Sequence, residues 1–249
     1  MSPVKLTPRS EYATIAKVAE EAGRHKDVVD QLKNMIYVYD ARLNVEERSM
    51  LSVAYKNITN DLRNSWRIID QLETLELSRG RARPMALLKL EKSNIEQELV
   101  DACKEIVKIL GERLIPCATV GEETVFYAKM QGDYYRYIFQ FVPDEQKNHY
   151  SDLSLNSYKF AYKHALGELD PVHPTRLGLA LNFSVYYHDV LNSPERACHL
   201  AKHAFDEAVQ CLDDSPSKAD AVMILQLLRD DLLLWVSEIQ GVPAKVSKS

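Results

Sequence analysis

Lys56, Arg63 and Arg67 stand at helical spacing in the segment LSVAYKNITNDLRNSWR, and Arg136 and Tyr137 lie side by side in GDYYRY. Steps of seven and eleven residues return to within about 20° of the starting direction on a helix of 3.6 residues per turn, so the first three cations form one stripe. Cations fixed on a rigid rod, joined by a second arginine and a phenol, suit a doubly charged tetrahedral anion, of which a phosphate group is the natural case. A solvated helix face laced with salt bridges is the ordinary use of residues so spaced. Tyr55, Trp66, Tyr134, Tyr135 and Tyr137 around the cations add weight to an anion site without displacing the ordinary use, since such aromatics also serve as core.

Two further stretches mix apolar and hydrogen-bonding side chains on one helical face. Asn182, Val185 and Asp189 recur at i, i+3 and i+7; Ile224, Leu227, Asp231 and Leu234 recur at i, i+3, i+7 and i+10. That pattern fits a buried seam with a polar rim. It fits equally a groove for an extended peptide, in which amides and carboxylates grip the peptide backbone and aliphatic side chains form a wall.

The elements that must position these residues are helices. Only 8 glycines and 10 prolines punctuate 249 residues, and Leu, Ala, Glu and Lys fill long uninterrupted stretches, the profile of an all-α protein. Caps, breakers and periodicity predict nine helices over roughly 8–23, 26–41, 45–79, 84–115, 121–142, 144–168, 174–192, 194–213 and 217–240. Asn44 with Glu47 resembles a capping box, as does Ser217 with Asp220; Ser193 before Pro194 reads as a hydroxyl cap, and Gly80 with Pro84 separates two long helices. Short connections make successive helices antiparallel neighbours. No linker-like stretch divides the chain, which predicts a single helical domain over residues 1–240 and a short tail over 241–249.

A formal charge of −5 argues against a general nucleic-acid binder, which would carry a strongly basic face. Cys103, Cys117, Cys198 and Cys211 include no C-x-x-C pair and read as reduced thiols. Neither a signal peptide nor a membrane span is evident. The expected compartment is the cytoplasm, with the nucleus also open to the chain.

Five segments then resemble the 14-3-3 family: LSVAYKN at 51–57, SWR at 65–67, GDYYRY at 132–137, RLGLALNFSVYYHDVLNSPERACHLAKHAFDEA at 176–208 and QLLRDDLLLWVSEIQ at 226–240. The resemblance implies a concave protomer of nine helices that dimerises into a cup, with itself or with a paralogue, each half carrying a groove for a phosphoserine or phosphothreonine peptide. Reading phosphorylated motifs by arginine clusters is the mode the resemblance implies. On matching positions Lys56, Arg63 and Arg136 would hold the phosphate oxygens, Tyr137 would donate its hydroxyl, and Asn182 would bond the peptide backbone. Lys129 would lie alongside, Leu181, Val185, Ile224 and Leu227 would form the apolar wall, and Arg67 would support the pocket electrostatically.

The chain also departs from the family pattern. Asp231 stands where a second groove asparagine is usual, which removes an amide donor and adds a negative charge. Asp189 replaces a glutamate and shortens the reach toward Trp235 and the ligand. His188 replaces a tyrosine. At the dimer contacts the resemblance implies an Arg24–Glu98 pair, apolar support from Ile15, Ala16 and Val18, and a phosphorylatable position at Ser65, while Asn94 and Glu91 depart from it. The tail GVPAKVSKS is basic, through Lys245 and Lys248, where the family has an acidic one.

The expected function is a non-enzymatic adaptor that holds, masks or bridges phosphorylated client proteins, with no cofactor, metal, nucleic acid or membrane involved. A helical-repeat scaffold for unmodified peptides is the first alternative. The second is a metal-dependent enzyme built on His199 and His203, a pair at i, i+4 with Cys198 and Asp206 nearby but no third ligand in evidence.

Overall fold

Asn44 opens the longest helix as its sequence predicts. In the computed structural model, which describes residues 8–39, 41–79, 82–212 and 218–241, Asn44 Oδ1 accepts from Glu47 N at 2.8 Å and Glu47 Oε2 accepts from Asn44 N at 2.9 Å. Two of the donors that a helix leaves unpaired at its start are thereby satisfied. Arg9 grips the same carboxylate with both terminal nitrogens, at 2.8 and 2.7 Å, and Glu47 is buried. The cap therefore also fixes the first helix against the third.

The described residues form α1 (Arg9–Glu21), α2 (His25–Val38), α3 (Val45–Ser78), α4 (Ala82–Ile109), α5 (Ile115–Cys117), α6 (Glu122–Phe141), α7 (Asp144–Glu168), α8 (Pro174–Asp189), α9 (Pro194–Cys211) and α10 (Lys218–Ile239), with no strand among them. All but α5 run for 13 residues or more and correspond to the expected helices. No described helix is long and apolar enough to cross a membrane.

Two predicted boundaries and one predicted cap are corrected. The fourth helix does not run unbroken to 115: α4 passes into a π-helical turn, Leu110–Leu114, in which Ile115 N bonds Leu110 O. Pro116 explains the change, because it has no N–H and its ring would strike the carbonyl four residues back in a regular helix; a wider turn absorbs the misfit. Pro194 does begin α9, but the Ser193 side chain makes no capping bond. Its backbone, at φ −124° and ψ 74°, lies outside the extended region from which a cap reaches the second or third helical N–H. Finally, α8 stops at Asp189 rather than 192, since Asn192 adopts a left-handed φ of 51° that a helix cannot contain. Gly80, Ser217 and the lysines of the tail lie outside the described residues.

The chain folds into two compact units, residues 1–117 with 140–143 and residues 118–139 with 144–249. In the first, α1 packs on α2, α2 on α3 and α3 on α4, around Val28, Leu32, Ile36, Leu51, Leu99 and Ile106, all nearly inaccessible. In the second, α7 packs on α8, and α8, α9 and α10 pack on one another. One of its clusters centres on Tyr158, Phe183 and Tyr186, the other on Leu177, Leu228 and Trp235.

Candidate functional site

Gly132 sits inside α6, where a glycine costs about 1 kcal/mol against alanine. The reason is Tyr158 of α7: a Cβ at position 132 would lie 2.9 Å from the Tyr158 ring, and Ser154 Oγ donates to the Gly132 carbonyl at 2.9 Å. This close approach lets the fully buried Tyr158 stack on Phe183, with centroids 5.2 Å apart, and still present its hydroxyl to α6. There it donates to Asp133 Oδ1 at 2.5 Å and accepts from Arg136 Nε at 3.4 Å.

Asp133 is the hub. Its Oδ1 also accepts from Asn182 Nδ2 of α8 at 2.8 Å, and its Oδ2 accepts from Lys129 Nζ at 2.9 Å. Burial opposes its ionisation, yet the charges of Lys129 and Arg136 and the Tyr158 hydrogen bond hold the carboxyl below its ordinary range. Arg136 is itself only 8% exposed. Burial works against its charge too, but Tyr158, Tyr137 and Asp133 more than compensate, so it stays protonated. Its guanidinium lies 4.9 Å from the centre of the Tyr137 ring. The second unit thus brings Lys129, Arg136 and Asn182 together around one carboxylate, with Tyr137 against the Arg136 guanidinium. Asp133 and Tyr158 were not singled out in the sequence; Lys129 and Asp133 at i, i+4 were the available signal, whereas Tyr158 comes from another helix.

In the first unit Lys56 is exposed and Arg63 half-buried on α3. Arg63 donates to Gln140 Oε1 at 2.5 Å, while the exposed Arg67 donates to Asn64 Oδ1 at 3.1 Å. The aromatics expected around this stripe do other work. Tyr55 is buried and donates to Glu105 at 2.5 Å; Trp66 donates to Glu96 at 2.7 Å, lies under Lys92 at 4.7 Å and meets Phe141 edge-on at 5.6 Å. Both rings fasten α3 to α4. Nearby, burial pushes the Cys103 thiol up to about 12, with Arg63 opposing, so it carries no thiolate at neutral pH.

The two amphipathic faces belong to α8 and α10. Leu181, Val185 and Ile224 are partly buried against the Leu177–Trp235 cluster, and Leu227 is half exposed. Trp235 is a core residue, 3% exposed, with its ring stacked on His188 at 5.2 Å and 19°. His188 meets Asp189 Oδ1 through Nδ1 at 2.7 Å and Glu238 Oε2 through Nε2 at 2.8 Å. Desolvation acts against its charged form, but these hydrogen bonds outweigh it and raise its pKa above the ordinary value. His188 therefore ties the end of α8 to the end of α10. Asp231, half-buried between these helices, has its carboxyl raised first by burial and then by Asp189, with His188 opposing.

Of the expected dimer contacts, Arg24 ion-pairs with Asp27 of its own chain, and Ser65 and Glu98 are exposed. Ile15 and Val18 are 48% and 61% exposed, but Ala16 is fully buried. Ala16 thus belongs to the packing of its own protomer. His203 meets Glu207 at 3.2 Å, and no group of three His, Cys, Asp or Glu side chains among the described residues is placed to hold a metal ion.

The described residues are thus helical, and in the second unit they hold a buried arginine within a cluster of polar side chains. The 14-3-3 protein family model matches residues 15–236. The chain is 48% identical over 233 residues to the 14-3-3-like protein B of Vicia faba, covering 93% of this chain and 89% of the relative. It is 48% identical over 239 residues to the checkpoint signal transducer rad24 of Schizosaccharomyces pombe, covering 95% and 88%. With 14-3-3 protein epsilon of Drosophila melanogaster it shares 46% over 238 residues, covering 95% and 90%. The chain belongs to the 14-3-3 family.

Proposed function

We propose that this chain is a phosphopeptide-binding adaptor that holds, masks or bridges client proteins carrying phosphoserine or phosphothreonine. The observation that carries the reading is Arg136, buried and bonded to Tyr158, which in turn donates to Asp133 beside Lys129 and Asn182. A donor fixed before the ligand arrives loses little conformational entropy on binding. Its fork offers directed, charge-assisted hydrogen bonds to phosphate oxygens. Lys56 and Arg63 join Arg136 and Tyr137 in this role by the family resemblance. Asn182 serves the peptide backbone beside the phosphate, and Leu181, Val185, Ile224 and Leu227 serve its side chains. The checkpoint signal transducer among the relatives is in keeping with an adaptor in signalling.

Two protomers paired through the exposed faces of Ile15 and Val18 would present two grooves, and linked grooves raise the avidity for doubly phosphorylated clients without new contacts. The reading is tested by titrating an arginine-containing phosphoserine peptide and its unphosphorylated twin into wild type and Lys56→Glu. Wild type should prefer the phosphorylated peptide, and the charge reversal should abolish that preference. Equal affinity for both peptides, or indifference to the reversal, refutes the adaptor reading.

A further inference from the structure

A second recessed surface lies in the unit formed by residues 118–139 and 144–249, lined by none of the residues that bond Asp133. It is a cleft of about 520 Å³ between α7, α8 and α9, within the range of small-molecule sites. Its floor is aromatic: Phe183, 3% exposed, stacks on Tyr187 at 4.7 Å and 26°, and Tyr162 meets Phe183 edge-on at 6.1 Å. Its rim carries Lys159, Lys163 and Arg196, and no carboxylate lines it.

The charge pattern is what needs explaining. The chain has 36 acidic against 31 basic residues, and neighbouring cations of the same helices are matched: Arg176 with Glu207 at 2.9 Å, Lys202 with Asp206 at 2.6 Å, Lys147 with Asp144 at 2.7 Å. Lys159, Lys163 and Arg196 make no salt bridge among the described residues. Three unmatched cations around an aromatic floor, in an acidic protein, form a local positive edge on an apolar recess. A ligand complementary to both parts carries one anionic group on an apolar body. The aromatic floor favours aromatic bodies, which can stack on it, over aliphatic ones.

We propose that this cleft binds a small amphiphilic anion, its aromatic body seated on Tyr162, Phe183 and Tyr187 and its carboxylate, sulfonate or phosphate held by Lys159, Lys163 and Arg196. A recess of about 520 Å³ matches a small molecule in size. The site is separate from the phosphopeptide groove, so both ligands bind at once.

The test titrates 8-anilinonaphthalene-1-sulfonate by fluorescence into the full chain already saturated with a phosphoserine peptide, which keeps the probe from the groove. N-phenyl-1-naphthylamine, the same body without the sulfonate, is titrated in parallel. Wild type should bind the sulfonate at one saturable site, more tightly than the neutral probe. The exposed double substitution Lys163→Glu/Arg196→Glu should weaken the sulfonate roughly tenfold, the order expected of two exposed charge contacts, with phosphopeptide affinity unchanged as the control for folding. A second variant, Tyr187→Ala, should weaken both probes. No saturable binding, equal affinity for the two probes in wild type, or a sulfonate affinity indifferent to the double reversal overturns the proposal.

Discussion

Replacing Asp133 by asparagine probes the hub of the site with almost no change of volume. In wild type one carboxylate accepts three hydrogen bonds, from Tyr158 at 2.5 Å and Asn182 at 2.8 Å on Oδ1 and from Lys129 at 2.9 Å on Oδ2. An asparagine has one acceptor oxygen and one donor group. With its oxygen toward Tyr158 and Asn182, its amide faces the Lys129 ammonium, donor against donor; flipped, it opposes the Asn182 amide instead. At least one charge-assisted bond is lost, worth about 1.5–3 kcal/mol. Arg136 and Lys129 are also left without a counter-charge, and breaking a buried pair costs about 3–5 kcal/mol. Lys129 is partly exposed, so the lower end applies, about 3 kcal/mol. For a chain of this length that corresponds to a Tm lowered by about 6–12 °C, read by calorimetry at neutral pH. Because the folded Asp133 carboxyl lies below its unfolded value, its stabilisation is present above the unfolded pKa and is lost as pH falls through the folded one. Asp133→Asn should therefore flatten the acid side of the stability profile. A Tm within about 2 °C of wild type, or an unchanged acid slope, would refute the role given to Asp133.

Asp231→Asn should tighten phosphopeptide binding by roughly three- to tenfold, since it removes a like charge beside Asp189 and supplies one amide donor; equal affinities by calorimetric titration would remove Asp231 from the groove. Gly132→Ala should destabilise the fold by about 1–3 kcal/mol, because its Cβ would stand 2.9 Å from the Tyr158 ring; a urea midpoint at or above that of wild type would contradict this. His188 should make stability fall on the alkaline side. Its folded pKa is raised above 6.5, so its contribution is complete below that value and is lost as pH rises through the folded pKa. A Tm profile from acid to alkaline pH should show that loss in wild type and lack it in His188→Gln, and identical profiles would exclude the clamp.

Much of the helical layout was legible because caps and breakers act locally. Asn44 and Glu47 need only each other to announce α3, and Pro194 needs only its own missing N–H to begin α9. Pro116 was equally visible, but its effect depends on whether the chain bends, breaks or widens around it, and that choice is made by packing. The cationic residues were legible as a stripe, since helical spacing fixes their common face. What that spacing does not reveal is which aromatics turn toward them: Tyr55 and Trp66 are bound to Glu105 and Glu96. Nor does it reveal Asp133, whose donors come from α6, α7 and α8 and converge only once those helices pack. His188 read only as a departure from the family pattern. In three dimensions it gains two carboxylate partners and a stacked indole, because Glu238 reaches it from a segment fifty residues away.

Fixed cations that capture a phosphate group must change how that phosphate titrates, and ³¹P NMR of a phosphoserine peptide bound to the chain reads this at the phosphorus itself. A free phosphoserine loses its second proton near pH 6. If the phosphate is held as proposed, the dianion is favoured over the monoanion, and the bound resonance should titrate at about pH 5 or below. A bound phosphate that still titrates near pH 6, as it does in the free peptide, would contradict capture by these cations.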